Sequence, residues 1–320
     1  MTGYLRELIW RSGETSGERR LSRAAIYLLL LLVVVVLGLN WPLMATGLRS
    51  VPPVWMGVFR VAGAAVVVLT LAASTGKLRL PPRRDIPMIL SLAVFRLATV
   101  FVLVFTALRL VPAGRSSVVV WTTSLWTVPI AAVFLGERMS GRRWIGLAAG
   151  VVGVAVLSEP WAMSWGQPGV AVGHGLLVLA AITNAATAVH IRGHRWTITP
   201  LEAVPWQLAG AAIPLVALAL AVEGVPVIDW TPQLAAIVAY QGMLATGMAF
   251  WAQLVILRNL SAISANLTLM GVPVVGVLSS AVLLDEAITL TLAAGMFLIM
   301  VGVGLNLVAE AASTDDPGPL

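Results

Sequence analysis

Long apolar runs, punctuated by short clusters of proline, glycine and charge, fill the chain from Ala24 to Ala309. They do not alternate as strands of a membrane barrel would; Leu28 to Leu37 is unbroken leucine and valine. A bilayer core of roughly 30 Å needs about 20 apolar residues per helix. The runs therefore predict ten spans, at 24–47, 53–74, 86–108, 113–135, 144–158, 172–190, 200–222, 233–257, 262–284 and 291–309, the fifth with room to continue to about Ser164.

Composition narrows the class. The 320 residues are 59% hydrophobic and 11% charged, with a mean hydropathy of +0.95. A soluble domain is nearer one half apolar and one quarter charged. Cysteine is absent, which excludes disulfides and thiolate metal sites. His174, His190 and His194 lie at opposite ends of one predicted helix and cannot converge, so no metal, cofactor or catalytic constellation is expected.

Charge placement sets an orientation. Residues 1–23 carry five arginines and no signal-peptide cleavage pattern, and read as a cytoplasmic tail. With that end inside, fifteen of the twenty basic residues fall in cytoplasmic segments. Only Arg49, Arg109 and Arg115 fall outside. This bias follows the positive-inside rule and favours ten spans with both termini cytoplasmic. The basic residues are scattered among these loops, which excludes a nucleic-acid surface.

The chain also repeats itself. At an offset of 149, Arg109 matches Arg258, Leu135 and Glu137 match Leu284 and Glu286, and Val152-Gly153-Val154 matches Val301-Gly302-Val303. Pro53 and Arg60 correspond to Pro200 and Gln207 at an offset of 147, and Asn40 to Asn184. Five helices per half is an odd number, so the second half enters the membrane inverted. The expected fold is all-α integral membrane, with ten transmembrane helices as two inverted five-helix repeats around a central cavity. The expected divisions are 1–23 (tail), 24–164 (first repeat), 165–309 (second repeat) and 310–320 (cytoplasmic C-terminal tail). Inverted repeats around a midplane site are typical of secondary transporters.

These residues resemble the EamA family of the drug/metabolite transporter superfamily over about 24–309. The resemblance is carried by Gly38-Leu39-Asn40-Trp41, Pro53 with Arg60, Ala107-Leu108, Gly136-Glu137-Arg138, and Gly146, Gly150 and Gly153. In the second half it is carried by Pro273, Asp285-Glu286, Gly295 and Gly302. It implies a multi-pass inner-membrane carrier exporting small metabolites, often amino acids. Two positions depart from the family pattern: Ala45 and Thr46 stand where many members have a lysine, and Ser124 replaces a usual proline.

Candidate substrate contacts follow from polar and aromatic groups at membrane depth. Pro42 removes a backbone donor and is expected to kink or break its helix, leaving Asn40 to bind substrate or to satisfy freed backbone. Trp41 lies beside it. Arg96 and Arg60 are intramembrane charges, which mark function or a partner. Arg96 is read as a carboxylate receptor, and Arg60, whose repeat partner is Gln207, as structural. Ser117, Trp121 and Ser124 share a helical stripe, as do Asn266, Met270 and Pro273; Tyr240 and Trp251 share another, and Asn184 completes the set. Glu137 and Glu286 read as caps or gates. No acid lies deep in a span, which disfavours proton-coupled export of cations. The expected activity is alternating-access export of amino acids or related zwitterionic or anionic compounds, possible without coupling, by a monomer or homodimer in lipid. The alternative is an exchanger or proton-coupled carrier for nucleotide-sugar-, nucleoside- or drug-like substrates.

Overall fold

Helix starts in this chain are written in proline and threonine. Proline is tolerated in the first turn, where its missing N–H has no intrahelical partner. Pro53, Pro168, Pro200 and Pro232 each open a helix. Thr199 and Glu202 form a reciprocal capping box at Pro200, and Thr231 accepts the Leu234 N–H at 3.1 Å.

The computed structural model describes residues 23–74, 76, 78–136, 141–158, 168–194, 196–252, 256 and 269–315. Within these, α1 is Arg23–Gly47, α2 Pro53–Ser74 and α3 Ile86–Ala107, the last containing a π-helical stretch at Leu92–Thr99. Helix α4 is Ala113–Leu135, with a tight turn at Trp121 and Thr122 between its two parts. Then come α5 (Gly141–Ser158), α6 (Pro168–Gly193) and α7 (Pro200–Val222). Helix α8 is Pro232–Ala252, with a π-helical stretch at Tyr240–Met248; α9 is Gly271–Leu284 and α10 is Leu290–Asp315. No strand occurs among the described residues.

Seven of these helices, α1 to α4 and α6 to α8, are long and apolar enough to cross a bilayer. Helix α9 and the Leu290–Leu305 part of α10 are shorter apolar helices. Large apolar side chains such as Leu28, Phe134, Ile213 and Phe297 are exposed. Such a belt suits hydrocarbon and would aggregate in water.

The packing repeats with the sequence. Helix α1 packs on α9 and its counterpart α6 on α4. Likewise α2 packs on α8 and α7 on α3, while α2–α7, α4–α9 and α5–α10 pair each helix with its own counterpart. The two π-helical stretches fall at matching positions under the 149-residue offset. Helices α4 and α9 both end in left-handed backbone at matching residues, Gly136 (φ 67°) and Asp285 (φ 56°).

Glycines let the counterparts touch. A Cβ on Gly153 would lie 2.9 Å from the Gly295 carbonyl, and one on Gly295 would lie 2.8 Å from that of Gly153. Gly302 meets Gly146 and Gly150 in the same way, so these glycines join α5 to α10 within one chain. Helices α2 and α8 cross at Gly63 and Gly242, while the equivalent crossing of α7 and α3 pairs Gly210 with Ala93.

Candidate functional site

Asn40, Met44 and Gly47 lie at i, i+4 and i+7 on α1 and so form one stripe. Around that stripe the structure gathers polar groups at membrane depth. Asn40 is 4% exposed; its amide Nδ2 donates to the Met44 thioether Sδ at 2.7 Å, and its Oδ1 has no partner. Arg60, from α2, donates through Nη1 to the same sulfur at 3.1 Å and through Nε to Thr246 Oγ1 at 2.8 Å. The guanidinium sits over the Phe101 ring, 4.8 Å from its centroid.

Arg60 is buried, and no carboxylate among the described residues pairs with it. A buried, uncompensated charge is strongly unfavourable unless something supplies the opposite charge. Gln241, on α8, is fully buried with both amide atoms unpartnered. Its amide lies beside Gly47, where an added Cβ would come within 3.5 Å of Nε2. Thr246 joins the two groups, since its hydroxyl accepts from Arg60 and donates to the Gln241 carbonyl five residues back at 2.8 Å. Both Gln241 and Thr246 belong to the π-helical stretch, a distortion frequent at functional sites. Tyr240 donates to the Val36 carbonyl at 2.8 Å and ties this stretch to α1.

The cluster is asymmetric. Under the repeat offsets Gln207 stands for Arg60, Leu92 for Gln241 and Leu97 for Thr246. Only the α1–α2–α3–α8 side carries the charge.

An apolar layer lies between this cluster and the arginine-poor end of the bundle. Trp41, Leu48, Phe105, Leu108 and Leu234 are packed together there, against Met44 of the cluster. Beyond it, a cleft of about 350 Å³ opens, lined by Arg49, Arg109, Pro112, Leu284 and Glu286 among others. Two carboxylates from the second half fasten helix starts of the first. Glu286 accepts the backbone N–H groups of Ala113 and Gly114 at 2.7 and 2.8 Å. Glu223 accepts those of Val54 and Trp55 at 3.0 and 3.1 Å, and Trp55 Nε1 donates to the Gly224 carbonyl at 2.8 Å. Charge-assisted bonds of this kind also complement the helix dipole.

The arginine-rich end has its own tie. Asp85, fully buried just before α3, accepts from His194 Nε2 at 2.9 Å and from the backbone N–H and hydroxyl of Thr197. Burial by itself raises the Asp85 carboxyl, but the bonds from Thr197 and His194 outweigh it and hold the group below its ordinary value. Glu202 stays at the start of α7, where it accepts from the Thr199 N–H and hydroxyl.

The remaining sequence candidates are distributed. Arg96 is on the π-helical stretch of α3, with an accessible side chain that lies deep among the helices, and it makes no bond to the described residues. Ser117 is fully buried at the α4–α9 contact and donates to the Gly114 carbonyl at 2.7 Å. Trp121 lies in the turn within α4 and Ser124 just after it, both partly buried. Asn184 is partly buried on α6, Met270 partly buried at the start of α9, and Pro273 buried on α9. Gln207 is buried on α7, and Trp251 is 40% exposed on α8. Glu137 and Asn266 lie outside the described residues. Pro42 does not interrupt α1, which is continuous through it; Thr46 donates to the Pro42 carbonyl at 2.9 Å. Met44, Phe101, Gln241 and Thr246 were not singled out from sequence. Gln241 had a signal, an amide within an apolar run; Met44 had only its spacing from Asn40.

Comparison with known proteins decides the family. The EamA-like transporter family matches residues 24–159 and again 171–308. The chain belongs to that family. It is a multi-pass membrane transporter and not an enzyme, built from two EamA repeats. It is 30% identical over 292 residues to a "Probable amino-acid metabolite efflux pump" of Escherichia coli (strain K12), covering 87% of this chain and 93% of the relative. An uncharacterized transporter of Bacillus subtilis (strain 168) is 25% identical, over 86% of this chain and 94% of its own. A "Probable terminal-alkyne amino-acid exporter" of Streptantibioticus cattleyicolor is 30% identical over 54% of each chain. A crystal structure aligns with a TM-score of 0.62 and 21% identity, over 92% of this chain and all of its own, and shares the fold.

Proposed function

We propose that this transporter exports amino acids or related zwitterionic metabolites across the cell's inner membrane by alternating access. The carrying observation is the buried Arg60, without a carboxylate partner among the described residues, in one cluster with the unpartnered Asn40 Oδ1 and Gln241 amide. A ligand bearing a carboxylate and an ammonium group supplies both missing partners. The names of two relatives, an amino-acid metabolite efflux pump and a terminal-alkyne amino-acid exporter, support the same class.

In this reading the two halves are 24–164 and 165–309, both tails are cytoplasmic, and the arginine-poor end faces outward. Substrate enters from the cytoplasm and is held by Arg60, Asn40 and Gln241. It leaves when the apolar layer around Trp41, Leu48 and Leu108 parts and Glu286 and Glu223 release the starts of α4 and α2. Absence of a carboxylate among the described mid-span residues supports movement without obligatory proton exchange.

Counterflow in proteoliposomes tests this. Vesicles preloaded with an unlabelled amino-acid mixture should accumulate labelled members of the same mixture, with or without a proton gradient. Exchange of nucleosides or sugars but no amino acid would overturn the substrate class. Strict dependence on a proton gradient would overturn the uncoupled mechanism.

A further inference from the structure

We propose that the Met44 thioether is a resident placeholder for the substrate carboxylate, so that Met44 sets the affinity of the site by competing with its ligand. The proposal rests on the export reading above and adds to it the group that the ligand must displace.

Two strong donors, the Asn40 amide and the Arg60 guanidinium, converge on one sulfur at 2.7 and 3.1 Å. A thioether is a weak acceptor. A carboxylate is a strong one, and guanidinium–carboxylate pairs are among the stronger hydrogen bonds in proteins. The donors are therefore aimed at a point where a poor acceptor sits. Arg60 is not free to turn away, because Thr246 holds Nε and Phe101 covers one face of the fork. Methionine is suited to vacate the point, having an unbranched side chain with several rotatable bonds. When Met44 swings out, an oxygen anion takes the place of the sulfur between Asn40 Nδ2 and Arg60 Nη1. The Asn40 Oδ1 and Gln241 Oε1, both unpartnered, remain as acceptors for an ammonium group on the same ligand. The ligand class is a monocarboxylate, bound more tightly when it also carries an amine.

The test uses purified full-length protein in detergent and three probes: acetate, an equimolar mixture of the twenty proteinogenic amino acids, and the mixture of their amides. The readout is the midpoint of thermal unfolding against probe concentration. Met44→Leu keeps the volume but removes the acceptor. It should lower the half-saturating concentration of acetate and of the amino acids about fivefold, the equivalent of one displaced hydrogen bond, and leave the amides unchanged. Met44→Glu supplies a tethered carboxylate and should abolish the response to acetate and amino acids at pH 7, with the protein still folded.

Equal half-saturating concentrations in wild type and Met44→Leu overturn the placeholder role. So does a Met44→Glu protein that folds and still responds to acetate, which serves as the deciding variant if Met44→Leu does not fold. No response to acetate or amino acids in either protein also overturns it. Acetate responding as expected while the amino acids do not would uphold the placeholder and overturn the amino-acid reading.

Discussion

Glu286 reaches across 172 positions of chain to accept the backbone N–H of Gly114 at 2.8 Å, fastening the end of the second repeat to the start of a helix in the first. Its other oxygen holds Ala113 at 2.7 Å, so one side chain satisfies two of the donors that a helix start leaves open. Glu223 does the same for α2. In the proposed export cycle these are the ties that would part as the arginine-poor end opens.

Replacing Glu286 by alanine should lower unfolding stability by about 1–2 kcal/mol, the scale of a partly exposed charge-assisted bond. Glu223→Ala should act similarly. Chemical denaturation in detergent measures both. Two variants as stable as the parent would show that water replaces the carboxylates without loss.

Arg60→Met should separate stability from transport. It removes a buried charge that has no carboxylate partner among the described residues, so the melting temperature should hold or rise. Amino-acid counterflow should fall to background. Arg96→Gln should retain a substantial fraction of wild-type flux, since Arg96 makes no bond to the cluster. Equal loss in the two variants would contradict this assignment.

The α5–α10 seam gives a steric prediction. A Cβ on Gly302 would sit 2.5 Å from the Gly146 carbonyl and 2.8 Å from the Gly150 nitrogen. Gly302→Ala should therefore destabilise by roughly 1–3 kcal/mol, the usual range for overpacking. At Gly175, within α6, nothing lies within 4 Å of an added Cβ. Gly175→Ala should be neutral or mildly stabilising, by up to about 1 kcal/mol. Unfolding curves of the pair decide the matter.

Asp85 predicts a pH dependence. Its carboxyl is held below the ordinary value in the folded chain, so the ionised form is favoured by folding. The contribution is complete above the unfolded value near 3.8 and is lost as pH falls through the lower folded value. Asp85→Asn should thus be less stable than wild type at pH 7, and the gap should shrink below pH ~4. A gap that is constant from pH 7 to pH 3 would remove the carboxylate from the account.

At Asp285 the left-handed backbone, φ 56°, is carried by an ordinary L-residue where the first repeat has Gly136. Asp285→Gly should stabilise by about 0.5–1 kcal/mol by relieving that conformation, net of glycine's greater chain entropy. A loss of stability would mean that the aspartate side chain contributes more than the strain removes.

Much of this was legible in the chain. Hydropathy and proline placed most described helix ends within a few residues, because membrane spans are set by length and by local punctuation; the last helix runs on to Asp315, and the expected ninth start at 262 lies outside the described residues. The glycines that join α5 to α10 recur at the 149-residue offset, because residues that must touch are repeated with their helices. The site was less legible. The sequence favoured Arg96 over Arg60, whose repeat partner is Gln207, yet it is Arg60 that meets Asn40's partner Met44 and Thr246, because depth in a helix does not reveal which neighbour a side chain meets. Met44 reads as one more apolar residue, and its place between two donors arises only when α2 is laid against α1. Pro42 suggested an interruption, yet α1 runs through it, since a helix packed along its length can forgo one backbone bond.

The crossing of Gly63 with Gly242 has an imperfect twin in Gly210 with Ala93, where a methyl group stands in for a hydrogen. A machine with strict two-fold symmetry would rest equally on either side of the bilayer. Here the two crossings are built from different residues, so in an alternating-access cycle the inward-open and outward-open forms would not be mirror images of equal energy.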